Sequence, residues 1–223
     1  MKKNVILLII VLVTGLTTNL FAQKDQKLTK GFSINLVTGF PSSQYGSAKD
    51  GNLSSEFQLG SIWGLQLGNR WYFSPTEKYG FGLMVNWFDI TAGVVTGIKN
   101  SSDFARAVAD VSFFEIGPVG TYVLNNDMAL DAYYNLRPTG FSTVIVYSNS
   151  SGSSVDEIYS YAGFGFTHAL GTAFRYKALN IGLEYVNGGI NSEGNYSGSG
   201  VDRTLDTRKN LVNNFRIMIG AKF

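Results

Sequence analysis

Cysteine is absent from this chain of 223 residues, proline occurs only 4 times and histidine once. The lack of cysteine excludes a disulfide framework and a thiolate metal site. Charged residues make up 15% of the chain, well below the quarter that is usual. Glycine, phenylalanine and tyrosine are abundant, at 26, 16 and 12 residues. This balance is typical of a β-rich protein in an apolar setting and does not favour a helical one.

The only long apolar run lies at the N-terminus. Lys2 and Lys3 precede the stretch Val5–Val13, and a short polar segment leads to Ala22. This order predicts a secretory signal peptide over residues 1–22, cleaved after Ala22. The alternative, a membrane anchor, needs roughly 20 apolar residues, more than the run provides. No cysteine follows the run, so lipid attachment of the lipoprotein type is excluded.

Removal of the signal peptide also changes the charge. Lys+Arg falls from 18 to 16, which equals the 16 Asp+Glu residues. The mature chain is therefore neutral, and a nucleic-acid partner has no electrostatic support.

Alternation of apolar and small or polar residues with a period of two recurs along the mature chain and indicates strands. The eight segments are 31–40, 59–73, 80–90, 110–124, 128–147, 159–176, 179–186 and 214–223. Long and short connections alternate between them. The long ones are rich in Ser, Asn and Gly and are expected to be surface loops: 41–57, about 91–109, 148–157 and about 187–209.

This rhythm predicts an all-β, eight-stranded antiparallel up-and-down transmembrane β-barrel with short periplasmic turns and long extracellular loops. We expect one barrel domain over residues 31–223, after a short N-terminal segment at 23–30. The soluble alternatives are a β-sandwich or a lipocalin-like barrel. The small and charged face is rich in glycine, which suits a crowded interior and favours the membrane barrel.

The last strand carries an assembly pattern. Phe215, Ile217, Ile219 and the terminal Phe223 alternate along it, and the pattern looks like the C-terminal signal that the barrel-assembly machinery recognises. Over residues 31–223 the chain resembles the small OmpA/OmpX-type barrels. More closely it resembles the outer membrane protein β-barrel domain proteins of Bacteroidota, in which a signal peptide ending in Ala-Gln is common.

The resemblance implies an integral protein of the outer membrane of a Gram-negative cell envelope. It implies contact with outer-membrane lipid and lipopolysaccharide, and with periplasmic chaperones and the barrel-assembly machinery during insertion. An extracellular or envelope protein partner is a further expectation. We expect no periplasmic peptidoglycan-binding domain after the barrel, so the likeness to OmpA is limited to the barrel.

Eight charged residues have the parity of the small, inward face. They are Arg70, Glu115, Asp131, Arg137, Arg175, Glu184, Arg216 and Lys222. Buried charges persist when they are paired, so we expect Glu115 and Glu184 to pair with Arg137, Arg175 and Arg216. Such a network fits either a plugged core, since an eight-stranded barrel is just wide enough to be filled by side chains, or a narrow porin-like path for small solutes.

Enzymatic and metal chemistry have little support. His168 is the only histidine. It is reminiscent of the lipid A deacylases, which pair a strand histidine with a nearby serine, but Ala169 and Leu170 follow it here. By parity His168 shares the face of Phe166 and Leu170, so it points to lipid or the outer rim. We expect no enzyme, no cofactor and no metal site; a lipid-modifying enzyme is the least favoured alternative.

Aromatic residues near strand ends are expected to form the two girdles at the membrane interfaces. The candidates are Trp63, Trp71, Trp87, Tyr134 and Tyr185. With recognition usually carried by loops, the sequence favours a structural or surface-interaction role.

Overall fold

The computed structural model describes residues 28, 31–46, 58–73, 75–99, 102–148, 155–198 and 200–223. The predicted signal peptide at 1–22 and all but Leu28 of the segment 23–30 lie outside the described residues. So do residues 47–57 and 149–154 of two predicted loops. The strands are β1 (Gly31–Pro41), β2 (Ile62–Tyr72), β3 (Tyr79–Lys99), β4 (Ser102–Val123), β5 (Met128–Ser148), β6 (Val155–Tyr176), β7 (Leu179–Gly198), β8 (Val201–Leu211) and β9 (Asn214–Lys222).

The strand pairings form a closed ring. Each strand from β1 to β7 pairs antiparallel with its neighbour in sequence, and β9 pairs with β7 on one side and with β1 on the other. β7 pairs with β8 along its second half and with β9 along its first half. β8 and β9 are therefore two parts of one strand, interrupted at Val212 and Asn213. The described residues thus build the predicted eight-stranded antiparallel barrel.

Two of the predicted long loops are mostly strand. β3 continues to Lys99 and β4 begins at Ser102, while β7 reaches Gly198 and β8 begins at Val201. At about 3.3 Å per residue and a tilt of about 40°, a strand of 21 residues is roughly 50 Å tall, whereas the apolar band of such barrels is about 25 Å. The strands β3 to β8 therefore rise well beyond this band at the long-hairpin end. The other end has the short turns before β3, β5 and β7.

Two facing β-bulges interrupt the alternation in β3 and β4. Leu67 pairs with Phe88 and Gly68 pairs with Asn86, so Trp87 is an extra residue of β3 relative to β2. β4 has one extra residue relative to β5 between Ser112 and Ile116. The register between β3 and β4 is continuous, which places Trp87 opposite Phe114. Both are exposed, their rings meet edge to face with centroids 5.6 Å apart, and Phe114 has a φ of 53°. A bulge places two successive side chains on one face. On the short-turn side of the bulges the inward residues are even-numbered in β3 and odd-numbered in β4, and on the long-hairpin side they are odd-numbered in β3 and even-numbered in β4.

The barrel wall has an apolar outer face. Exposed side chains include Leu36, Trp63, Phe81, Phe166 and Ile219. Within the described residues, no helix is both long enough and apolar enough to cross a membrane.

Candidate functional site

Half-way up the barrel, the interior holds a layer of five paired charges. Arg216 donates from Nη2 to both oxygens of Asp89, at 2.6 and 2.8 Å, and from Nη1 to Oε1 of Glu184 at 3.0 Å. Arg137 donates from Nε to Oε1 of Glu115 at 2.5 Å, and its Nη2 lies 3.5 Å from Asp89 Oδ2. All five side chains are at most 1% exposed. Burial of this kind is tolerated only because each charge has a partner.

Neutral groups complete the hydrogen bonding of this layer. Tyr133 donates its hydroxyl to Glu184 at 3.1 Å, Asn86 donates to Glu115 at 2.8 Å, and Gln66 donates to Asp89 at 3.0 Å. Two more amides extend this hydrogen-bond network. Asn35 donates to Gln66 at 3.0 Å, and Asn180 donates to Asn35 at 2.9 Å. The result is a cross-linked plug of side chains contributed by seven of the eight strands.

A second charged layer lies toward the short-turn end. Arg175 makes a two-pronged contact with Asp131, at 2.8 and 3.0 Å, and Arg70 Nη1 lies 2.9 Å from the same carboxylate. Thr121 donates to Asp131 at 2.6 Å. Lys222 is buried beside this layer, with its Nζ 5.8 Å from the centre of the Tyr72 ring.

The pairing differs from the sequence expectation in one respect. Arg137 pairs with Glu115 and Arg216 pairs with Glu184, as expected, whereas Arg175 forms its salt bridge with Asp131. The physical reason is register: Asp131 pairs with Ala173, two residues before Arg175 on the next strand, so the two side chains meet on one face.

Three buried charges were missed by the sequence analysis: Asp89, Arg106 and Asp110. All three are at most 3% exposed. Strict alternation from Phe81 or Phe114 places Asp89 and Asp110 on the outer face, and the bulges reverse this. The available signal was the pair of aromatic doublets, Trp87-Phe88 and Phe113-Phe114, because two bulky residues in succession break the period of two.

An apolar cap closes the interior above the charged layers. Its members lie 0 to 7% exposed and are Tyr45, Leu59, Ile62, Val108, Phe141, Ile190 and Val212. Tyr45 and Leu59 come from the two described ends of the connection between β1 and β2, and at both ends the side chain turns into the barrel.

The cap is fixed to the charged layer by Tyr45. Its hydroxyl donates to Oδ2 of Asp110, which also accepts from Thr91 at 2.6 Å. Its carbonyl accepts from Arg106 at 2.6 Å. The next residue, Gly46, has a φ of 67°, and a Cβ there would lie 2.5 Å from the Arg106 guanidinium. Only glycine fits both the backbone and the space at this turn.

Polar atoms on the outer face are paired with each other. His168 is exposed and stacks on Tyr134, with Nδ1 2.5 Å from the tyrosine hydroxyl. Trp87 donates from Nε1 to Asn69 at 2.6 Å. Such pairing is needed on a surface that water does not reach.

The girdle candidates lie at different heights. Trp71 lies beside the short turn after β2, and Trp63 lies eight residues before it, toward the long-hairpin end. Trp87 is eight residues into β3, and Tyr134 and Tyr185 are each six residues into β5 and β7. At about 2.5 Å of height per tilted residue, Tyr134 and Tyr185 lie about 15 Å and Trp87 about 20 Å from the short-turn ends of their strands.

The assembly residues lie on β9 or next to it. Phe215 and Ile219 are exposed on the outer face, Ile217 is half-buried, and the backbone nitrogen of Phe223 donates to Phe32 at 2.7 Å. This last contact lies at the seam where the ring closes.

At the long-hairpin end, the inner face carries tyrosines and arginines. Arg208 stacks on Tyr161 at 3.3 Å, and Arg203 stacks on Tyr196 at 4.9 Å. Within the described ranges, no three side chains of the types that bind metals converge.

Comparison with known proteins gives a structural match and no sequence match. No family model matches the chain, and no curated protein does. The outer membrane protease OmpT of Escherichia coli matches with a TM-score of 0.53 and 8% identity, covering 86% of this chain and 94% of that one.

Two further structures have lower scores. Ail, the attachment invasion locus protein of Yersinia pestis, solved with the heparin analogue sucrose octasulfate, has a TM-score of 0.43 and 12% identity over 87% of this chain and 97% of its own. OprG of Pseudomonas aeruginosa has a TM-score of 0.41 and 16% identity over 89% and 98%. At such identities the likeness concerns the fold alone. The chain has the fold of the integral β-barrel proteins of the bacterial outer membrane.

Proposed function

We propose that the protein is a non-conducting outer-membrane barrel with a structural or surface-interaction role. The observation that carries the proposal is the interior: two charged layers span the barrel, and the apolar cap lies above them. A solute path would have to cross Arg137, Arg216 and Glu184 and then pass Phe141. Ions crossing such a plug would need the pairs to separate inside the barrel, which is costly.

The tall wall supplies the surface-interaction part of the proposal. Short turns of outer-membrane barrels face the periplasm, which puts the hairpins β3–β4, β5–β6 and β7–β8 outside the cell. Strands hold side chains in fixed positions more precisely than loops do. A partner would therefore meet a rigid β-surface.

A narrow channel is the second candidate, and one observation favours it. Asn135 and Asn210 are fully buried, and neither amide atom of either residue has a hydrogen-bond partner among the described residues. Buried polar atoms of this kind are commonly bridged by internal water. Water beside these two amides could form part of a path.

Single-channel recording separates the two candidates. Refolded wild type, Arg137→Ala and Glu184→Ala are inserted into a planar bilayer, and the folded state of each is checked by the heat-dependent shift of its gel band. We expect no steady conductance from the wild type. Steady wild-type conductance whose size or ion selectivity changes in both variants would overturn the proposal and make the protein a small pore.

We propose no enzymatic activity. His168 faces outward and has Tyr134 as its hydrogen-bond partner, an arrangement that does not supply the serine and carboxylate of a hydrolytic triad. A lipase or lipid A deacylase assay that is positive for the wild type and negative for His168→Gln would contradict this.

A further inference from the structure

Three tyrosines form a continuous row on the inner face of the wall, above the membrane. Tyr147 and Tyr159 meet edge to face with ring centroids 6.0 Å apart and planes at 82°. Tyr159 and Tyr196 follow at 5.0 Å and 58°. Tyr159 is paired with Tyr196 across β6 and β7, and all three rings are half-buried. Each of the three side chains is therefore partly accessible at the outer end of the barrel.

A carboxylate lies in the middle of this row. Glu157 accepts a hydrogen bond from Tyr159 at 3.1 Å and another from Tyr196 at 3.2 Å. Burial and the hydrogen bond to Glu157 raise the pKa of Tyr159 to about 12, so this hydroxyl stays a donor at neutral pH. The salt bridges found among the described residues do not include Glu157, in contrast to the acids of the two charged layers.

The chain itself shows that this row accepts a cation. The guanidinium of Arg203 lies over the Tyr196 ring at 4.9 Å, which is within the range of a cation–π contact. Arg203 is paired with Tyr196 across β7 and β8 and is exposed. It covers Tyr196, and within the described part of the chain it forms no salt bridge with Glu157.

We propose that the Tyr147–Tyr159–Tyr196 row with Glu157 is a docking site for a basic side chain, lysine foremost, of a partner polypeptide. The inference rests on the proposed surface-interaction role and names the chemistry of the partner. Tyrosine rings attract a cation and supply rigid contact area at small entropic cost. An anionic carboxylate accepts up to four hydrogen bonds, so Glu157 retains acceptor sites for N–H donors. A quaternary ammonium has no N–H to place there, which is why lysine is favoured.

Titration calorimetry tests the site with octalysine as the probe. The refolded full chain is placed in nanodiscs of zwitterionic lipid, so that the membrane does not attract the peptide. The key variant is Glu157→Gln. The matched control is Glu193→Gln, which removes the same charge from the exposed outer face of β7. We expect Glu157→Gln to weaken binding at least tenfold and Glu193→Gln to change it less than twofold.

Tyrosine variants separate the ring from the hydroxyl. Tyr159→Phe keeps the ring and is expected to retain most of the affinity, whereas Tyr159→Leu removes the cation–π contact and is expected to weaken binding about as much as Glu157→Gln. Equal weakening by Glu157→Gln and Glu193→Gln would show unspecific charge attraction and overturn the site. So would tighter binding of choline than of octalysine, which would assign the site to a small quaternary ammonium.

The two proposals fail in different ways. A wild type that neither conducts nor binds octalysine overturns the docking site and leaves the non-conducting barrel intact. A wild type that conducts overturns the barrel's proposed role, whatever octalysine does. The heat-dependent gel shift of each variant shows that loss of binding is not loss of fold.

Discussion

The membrane-spanning half of the barrel and the half above it differ in what fills the interior: buried ion pairs occur beside an apolar cluster in the lower half, and the apolar cap occurs beside Arg106 and Asn210 in the upper half. In the lower part of β5 the inward residues include Asp131, Asn135 and Arg137, whereas in its upper part they include Phe141 and Ile145. Inside the bilayer the outer face must be apolar, so the polar residues collect in the interior. Above the bilayer the outer face of the wall is no longer required to be apolar, and an apolar cluster packs inside the barrel as in the core of a soluble protein.

The same alternation of side chains along a strand therefore places mainly polar residues inside the lower half of the barrel and apolar residues inside the upper half. The charged layers hold the spanning half together through pairs that are costly to break, and the apolar cap holds the upper half through burial. The two halves meet at Tyr45, whose ring contacts Phe141 in the cap and whose hydroxyl donates to Asp110. The predictions below test the lower half, the upper half and their junction in turn.

The largest effect is expected at Asp89, in the lower half. Asp89→Leu leaves Arg216 and Arg137 without their shared carboxylate, and breaking a buried ion pair costs about 3–5 kcal/mol of the free energy of unfolding. Unfolding in urea, followed by tryptophan fluorescence, measures the change. The sign of the change in the free energy of unfolding distinguishes the two orientations of Asp89. If Asp89 faced the lipid, as strict alternation predicts, Asp89→Leu would stabilise the barrel. Ile90→Leu, one residue along, is the control and should be nearly neutral.

A smaller effect is expected in the upper half. Phe141→Ala removes a buried ring from the cap, and truncation of this kind costs about 3 kcal/mol. The same urea titration measures it, and hydrogen exchange should show faster opening around Tyr45 and Val108. Val144→Ala removes a half-buried side chain of the same strand from the outer face and should cost under about 1 kcal/mol. Equal losses in the two variants would argue against an apolar core above the membrane.

The smallest effect is expected at the junction. Tyr45→Phe keeps the ring against Phe141 but removes the donor to Asp110, and loss of one such hydrogen bond costs about 1 kcal/mol. Thr91 still donates to Asp110, which limits the loss. Tyr122→Phe, on the exposed outer face, is the comparison and should leave the unfolding midpoint unchanged. If Tyr45→Phe lowered the unfolding midpoint as much as Asp89→Leu, the stability of the spanning half would depend on the cap more than on the charged layer.

The two halves also differ in how well the sequence predicts them. In the spanning half, alternation was regular enough to predict the strands that contain Arg70, Asp131, Arg137, Glu184 and Arg216 on their small-residue face. Above the membrane neither face has to be apolar, so the pattern weakens, and residues 91–109 and 187–209 were predicted as loops. Their strands are stabilised by pairing with neighbours across the hairpin, which is a non-local property.

By itself, the sequence determined the all-β class, the eight strands, their antiparallel order and the closure of the barrel by the segment ending at Phe223. These follow from alternation and turn spacing, which are local. Only the tertiary structure decided which carboxylate pairs with Arg175, that Asp89 and Asp110 face inward, and that Tyr45 folds into the barrel. Those depend on register and on two facing bulges, and a shift of one residue in either strand moves every side chain beyond it to the opposite face.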